Sequence, residues 1–293
     1  MDMSLIEQVR SFNRIMTERV GVLNDHFLGR NHPLGEARLL WEIGTEGASV
    51  RSLRSRLGLD SGYVSRLLRS LEEQGLIVVG TSENDGRVRH VQLTEAGKVE
   101  RAELDHRADA FARSLLEPLN DSQRVKLAAA MAQVERLLVA SLVKIAVADP
   151  TDPHARWCFE QYFAELGERF EAGFEPALSI SAQAHELISP SGLLLVARLR
   201  EEPIGCGALK FHENAPGEIK RMWVAPQARG LGLGRRLLLA LEHYAREAGV
   251  VVLHLETNRT LIEAIQLYRD CGYQEVAAFN DEPYAHHWFE KHF

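Results

Sequence analysis

The twenty residues from Gly217 to Arg236, GEIKRMWVAPQARGLGLGRR, constrain this chain more than any other stretch. Ile219, Met222 and Val224 are apolar and β-prone, so the first half reads as a largely buried strand. Pro226 ends that strand, because proline has no N–H with which to continue a ladder. Gly230, Gly232 and Gly234 follow, and after them an apolar helical repeat through Leu237, Leu238, Leu241 and Ala245. Strand, glycine turn and helix start together aim several free N–H groups at one point. Glycine permits close approach and the helix dipole adds partial positive charge, so the segment suits a phosphate. A P-loop would need Gly-Lys-Ser/Thr at its close, but Gly234 is followed by Arg235 and Arg236. A dinucleotide fingerprint needs a third glycine where Arg235 stands, so that match is weak.

The chain has 293 residues, more than one typical domain, and two domains are expected. No apolar run approaches the roughly 20 residues of a membrane helix, and the opening MDMSLIEQVR lacks the apolar core of a signal peptide. Cys158, Cys206 and Cys271 lie far apart, with no pair at metal or redox spacing, which points to a reducing cytoplasm and no metal. The net charge of −7 is unevenly placed. Residues 1–148 hold 20 basic and 20 acidic residues, whereas 149–293 hold 14 and 21. The acidic balance therefore does not argue against nucleic-acid binding by the first half.

In that first half, residues 4–28 read as one helix, with Leu5, Val9, Phe12, Ile15, Met16, Val20 and Leu23 near helical spacing. A polar break, GRNHPLG, precedes a helix over Glu36 to Ile43. SVRSLRSRLG then sets Val50, Leu53 and Leu57 on one face and three arginines on the others. Asp60 and Ser61 suit the N-cap of a helix whose Val64, Leu67, Leu68 and Leu71 share a face. Its other face shows Ser61, Gly62, Ser65, Arg66 and Arg69. Two short helices with the second exposing arginines read as a helix-turn-helix. Leu76 to Gly80 and Arg87 to Leu93 read as a hairpin turned at Asn-Asp-Gly, a wing.

This order, with LEEQGLI, then DGR at Asp85 to Arg87, then QLTEAG at Gln92 to Gly97, resembles the MarR family of winged helix-turn-helix regulators. The resemblance implies a double-stranded DNA operator, with Ser61, Tyr63, Ser65, Arg66 and Arg69 facing the major groove and Arg87 and Arg89 near the minor groove or backbone. It also implies a homodimer through residues 4–28 and the helices of about 94–117 and 121–141. The reader region, 51–90, holds 7 basic and 5 acidic residues, a modest excess that implies few phosphate contacts. A domain serving only to dimerise is the alternative.

The boundary is expected after Ser141, giving domains 1–141 and 142–293. Strands are expected at Val143 to Val147, Leu193 to Leu199, Ile204 to Phe211, Val250 to Leu255, Tyr273 to Ala277 and His286 to Phe289, with helices over 154–170 and Leu261 to Asp270. Gln227, Gly230 and Gly232, preceded by Val224 and Pro226, fit the pattern Gln/Arg-x-x-Gly-x-Gly/Ala, and LETNRTLIEAIQLYRDCGY follows at Leu255 to Tyr273. With the order β-α-α-β-β-β-α-β-α-β, the second half is similar to GNAT acetyltransferases, an α/β fold on a central mixed sheet. The resemblance implies acetyl-CoA as cofactor, held by Trp223, Val224, Gln227, Arg229, Gly230, Leu231, Gly232, Gly234 and Arg235. It implies that Asn258 bonds the pantetheine arm and that Tyr268 protonates the departing thiolate.

Acetyl transfer to an amine needs a base and donors that polarise the thioester carbonyl. Backbone N–H groups near Trp223 and Val224 can be the donors, and Glu218, at the start of that strand, is the candidate base. Arg169 could hold a substrate carboxylate, and one of His286 and His287 could line the acceptor pocket. The sequence therefore reads as a cytoplasmic regulator fused to an N-acetyltransferase acting on a small primary amine. The alternative is a transcription factor whose second half senses acyl-CoA or an amine without turnover.

Overall fold

The computed structural model describes residues 2–20, 27–29, 32–81, 89–171, 173–180, 182–213 and 215–293. Two compact units divide the chain, Met1–Ala129 and Ala130–Phe293. Among the described residues no helix is long and apolar enough to cross a membrane.

The first unit begins with α1 (Met3–Val20), whose stripe of Leu5, Val9 and Ile15 is exposed. There follow α2 (Leu34–Ile43), β1 (Ala48–Ser49), α3 (Val50–Leu57) and α4 (Ser61–Glu73). Strands β2 (Ile77–Thr81) and β3 (Arg89–Leu93) pair antiparallel, and β1 adds to β3 to make a three-stranded sheet. Helix α5 (Glu95–Leu116) and α6 (Asp121–Ser141) complete the series, and α6 runs across the division between units. The helix-turn-helix forms where its caps place it. Ser49 accepts from the Ser52 N–H, Gly58 closes α3 in the left-handed region, and Asp60 accepts from the Tyr63 N–H. Val64, Leu68 and Leu71 of α4 pack with Leu39, Leu40, Leu53 and Leu104 in one core, where truncating a leucine to alanine costs about 2–5 kcal/mol.

The LEEQGLI and QLTEAG segments prove to be one structural device. Thr94 donates its hydroxyl to the Gly75 carbonyl at 2.7 Å and its N–H to the Leu76 carbonyl at 3.0 Å. The same hydroxyl oxygen caps α5 by accepting from the Gly97 N–H at 3.0 Å. A Cβ at Gly97 would stand 1.9 Å from the Leu76 oxygen, so only glycine fits there. A buried His32 further joins Glu36 on α2, at 3.1 Å, to Glu100 on α5, at 3.4 Å.

The second unit is built on a seven-stranded sheet ordered β4-β5-β6-β7-β8-β10-β9. In chain order it holds β4 (Lys144–Val147), α7 (Pro153–Arg169), β5 (Gly192–Leu199), β6 (Glu202–Lys210), β7 (Gly217–Val224), α8 (Leu233–Glu247), β8 (Val252–Thr257), α9 (Ile262–Asp270), β9 (Gln274–Val276) and β10 (His287–His292). The second helix expected before β5 is only a 3₁₀ turn, Ala184–Leu187. All ladders are antiparallel except β7 with β8, so the sheet is mixed as expected. Leu237, Leu238, Leu241 and Ala245 of α8 are buried in its core with Phe289, Leu253 and Leu255.

Candidate active site and nucleic-acid interface

The parallel pairing of β7 with β8 is confined to Gly217 with Leu253 and Glu218 with His254. Beyond Glu218 the two strands part, and the edge of β7 facing β8 is left without a ladder. On its other edge β7 slips register against β6 between Cys206 and Ala208, forming a bulge in which Arg221 takes a φ of 54°. The Ala225 N–H donates to Ile204 on the β6 side at 3.0 Å. Strand alternation therefore turns the Val224 N–H the other way, into the opening.

At the end of β7 the chain makes a 3₁₀ turn, Pro226–Ala228, and then runs through Gly230 and Gly232 with φ of 79° and 71° into α8. The N–H groups of residues 230 to 235 find no backbone acceptor among the described residues, while the next, Arg236, already donates to the Gly232 carbonyl. This row of unmet donors at the positive end of α8 is an anion cradle. A cleft of about 560 Å³ rises from it along Val224 to Tyr268 on α9. Arg229, Gly230, Gly232, Gly234 and Arg235 line the cleft, as do Trp223 and Val224; Gln227 is exposed on the turn, and neither it nor Leu231 lines the cleft. Glu165 on α7 organises the wall, accepting from the Trp223 indole at 2.9 Å and from Arg229 at 2.5 Å. Arg169 is bonded there to Glu165, to Glu263 and to the Thr260 carbonyl.

A second, smaller pocket of about 100 Å³ opens where β7 and β8 part, and Tyr162, Tyr268, Leu166 and Met222 are common to both cavities. Lys220 and Glu256, buried in its lining, belong to a charged cluster that only the sheet register reveals. Lys220 contacts Glu256 and lies 3.3 Å from Glu218, which in turn faces His212 at 3.4 Å. Burial alone would depress the Lys220 ammonium, but Glu256 and Glu218 outweigh it and hold the group above its ordinary value. Two carboxylates thus share one cation, and burial pushes the Glu256 carboxyl up against the pull of Lys220. Glu256 lines the pocket and its Oε2 is buried with no hydrogen-bond partner; Glu218, expected from sequence as the base, lies outside the lining. Burial, and next the charge of Glu256, raise the Tyr268 hydroxyl, so it stays protonated. Asn258 lines this pocket rather than the cleft, and its amide donates to the Tyr284 carbonyl and accepts from the Thr260 N–H. Neither His286 nor His287 lines it, and His287 is bonded to Glu275.

In the first unit, α4 buries Val64, Leu67, Leu68 and Leu71 and exposes Ser61, Tyr63, Arg66 and Arg69, with Ser65 half-buried between them. Arg66 lies over the Tyr63 ring at 5.7 Å, and neither Arg66 nor Arg69 has an ion-pair partner among the described residues. Arg89 is exposed at the start of β3; Arg87 and the rest of the Asp85 to Arg87 turn lie outside the described residues.

Comparison with known proteins finds a family match in each half of the chain. A model of the MarR family matches residues 30–88, and one of the acetyltransferase (GNAT) family matches 156–273. An IAA acetyltransferase of Azospirillum brasilense is 36% identical over 144 residues, which cover 49% of this chain and 90% of that one. A mycothiol acetyltransferase of Thermomonospora curvata is 35% identical over 95 residues, 32% of each chain, so this chain spans about a third of that relative. Among solved structures, a GNAT-family acetyltransferase of Staphylococcus aureus aligns with a TM-score of 0.45 at 17% identity, over 51% of this chain and 99% of that one.

Proposed function

Because the chain belongs to the GNAT family of acetyltransferases and also carries a MarR family domain, we propose that it acetylates a small primary amine and, as a homodimer, binds a DNA operator. The observation that carries the enzymatic half is the meeting of two cavities at Tyr268, one suited to an anion and one lined by a carboxylate with one unpartnered oxygen.

Acetyl-CoA fits the larger cleft: the unmet N–H groups of residues 230 to 235 suit its pyrophosphate, and the flanking Arg229 and Arg235 add charge. Bound there, it supplies an acyl group already activated as a thioester. The rest falls to this chain. The Val224 N–H donates to the carbonyl oxygen as negative charge gathers on it. Glu256 takes the proton that the amine sheds as its nitrogen bonds the acyl carbon; its raised basicity suits that task, and Lys220 holds it in place. Glu218 acts on the far side of Lys220 as a positioning group. Tyr268, kept protonated by burial, gives its proton to sulfur as the C–S bond breaks. Asn258 holds the loop to Tyr284 that closes the pocket.

For the regulatory half, the α4 face of exposed Ser61, Tyr63, Arg66 and Arg69 with half-buried Ser65 supports reading by α4 in a major groove, with Arg89 on the wing and, by the family resemblance, Arg87 beside it. The bare apolar stripe of α1 supports a homodimer. Three free thiols support a reducing cytoplasm.

Calorimetric titration with acetyl-CoA, beside turnover of an amine panel, tests the enzymatic reading. Gly232→Glu puts a carboxylate in the cradle and is expected to abolish binding. Glu256→Gln and Tyr268→Phe are expected to keep acetyl-CoA and lose turnover. Wild type that binds acetyl-CoA but acetylates nothing would leave a sensor in place of an enzyme.

A further inference from the structure

The small pocket contains four charged side chains: Lys220, Arg221, Glu256 and Glu282. Two have their hydrogen bonds met within the protein. Lys220 sits between Glu218 and Glu256. Glu282 accepts from the Ile180 N–H at 2.6 Å, the Ser179 hydroxyl at 3.0 Å and the Tyr284 N–H at 3.2 Å. The other two are incomplete. Glu256 has a side chain only 9% exposed, and its Oε2 meets no donor. Arg221 donates one N–H to the Ala182 carbonyl at 2.6 Å and lies over the Phe159 ring at 4.2 Å, but its buried Nε meets no acceptor. Buried polar groups are nearly always paired, so a lone acceptor and a lone donor on two residues that line one small pocket point to a ligand bearing the complements of both.

The β7 bulge is what brings them together. A regular strand shows alternate residues to one face, yet Lys220, Arg221 and Met222 all line this pocket. Left-handed backbone at a residue with a side chain is uncommon, and here it falls at Arg221, one of the residues that line the pocket. The remaining wall is aromatic: the Phe174 ring lies 4.9 Å from that of Tyr284 and 5.7 Å from that of Phe170.

Resting on the acetyltransferase reading above, we infer that the acceptor is a free amino acid with an apolar or aromatic side chain. Its amine lies at Glu256, its carboxylate on Arg221 and its side chain against Phe170, Phe174 and Tyr284. The pocket's formal charges balance, two of each sign, which suits a zwitterion better than a simple cation. A guanidinium can also grip a carboxylate through paired N–H groups, which the ammonium of lysine cannot. Arg169, the guanidinium that sequence alone offered for this task, is engaged elsewhere.

The test compares free amino acids, phenylalanine, leucine and tryptophan among them, with their decarboxylated amines on the full-length protein. Turnover is followed by CoA release, and binding by thermal shift with acetyl-CoA present. An amino acid should exceed its amine in kcat/KM by at least about tenfold, the ratio that one charge-assisted hydrogen bond supplies. Arg221→Met should raise KM for the amino acid by that factor and leave the amine's constants in place, with acetyl-CoA affinity unchanged as the check on folding. Equal or better use of the amines by wild type, or an Arg221→Met loss that falls on both substrates alike with acetyl-CoA affinity intact, would overturn the inference. Amino acids that stabilise the protein without being turned over would instead refute the enzyme reading and keep this ligand class.

Discussion

Gly232 and Gly249 stand at the two ends of α8, and replacing each with alanine separates backbone strain from ligand binding. Both are left-handed, with φ of 71° and 79°, and in neither case would a new Cβ meet an atom within 4 Å. An L-residue in that region costs about 1–2 kcal/mol, so each substitution should lower the melting temperature of the acetyltransferase unit by roughly 2–8 °C. What differs is the space the methyl group enters. At Gly249 it is bare surface beyond the helix C-terminus; at Gly232 it is the cradle formed by the unmet N–H groups of 230 to 235. Losing one charge-assisted hydrogen bond to a phosphate is worth about 1.5–3 kcal/mol, which raises Kd about tenfold to a hundredfold. Isothermal titration with acetyl-CoA should therefore show that loss for Gly232→Ala and wild-type affinity for Gly249→Ala, at similar melting temperatures. If Gly232→Ala binds within twofold of wild type, or Gly249→Ala weakens binding equally, the cradle is not where the pyrophosphate sits.

Other outcomes follow from the same geometry. Because burial raises the Glu256 carboxyl and only its ionised form accepts a proton, the pH profile of wild-type kcat/KM should fall on acidification with a midpoint above the ordinary carboxylate value of 4.5. Burial pushes Glu36 up, but its bonds from Ser70, Gln74 and His32 prevail and hold its carboxyl low. Its contribution to the stability of the first unit is thus present above the ordinary value and lost as pH falls through the folded one; acid melts of Glu36→Gln should show a shallower pH dependence. Gly97→Ala, with its Cβ 1.9 Å from the Leu76 oxygen, should destabilise the first unit by about 3 kcal/mol or more in urea titrations while leaving acetyl-CoA binding intact. If Arg66 and Arg69 contact phosphate, replacing either with alanine should weaken operator binding and reduce the salt slope by about one, with the oligomeric state in sedimentation unchanged.

The features legible in the sequence were those that a local repeat encodes. An apolar face recurring at helical spacing located α4, its caps placed its start, and three glycines between a strand and a helix marked the anion cradle. Each follows from backbone geometry within a few residues, which is why both families could be identified from short motifs. The smaller pocket has no such signature. Glu256 and Lys220 are 36 residues apart and meet only because β7 and β8 run parallel. Glu218, the candidate base on its strand, does not line the pocket. Arg169 and Arg221 are equivalent as letters; packing engages one with Glu165 and Glu263, and the other stands at a bulge in β7 and lines the smaller pocket. The QLTEAG motif served only to mark a family resemblance, whereas the fold shows Thr94 and Gly97 clasping Leu76. Local periodicity fixes where the backbone offers its donors. Which side chains are left unpaired to act on a ligand depends on contacts between distant segments, and only the tertiary structure decides those.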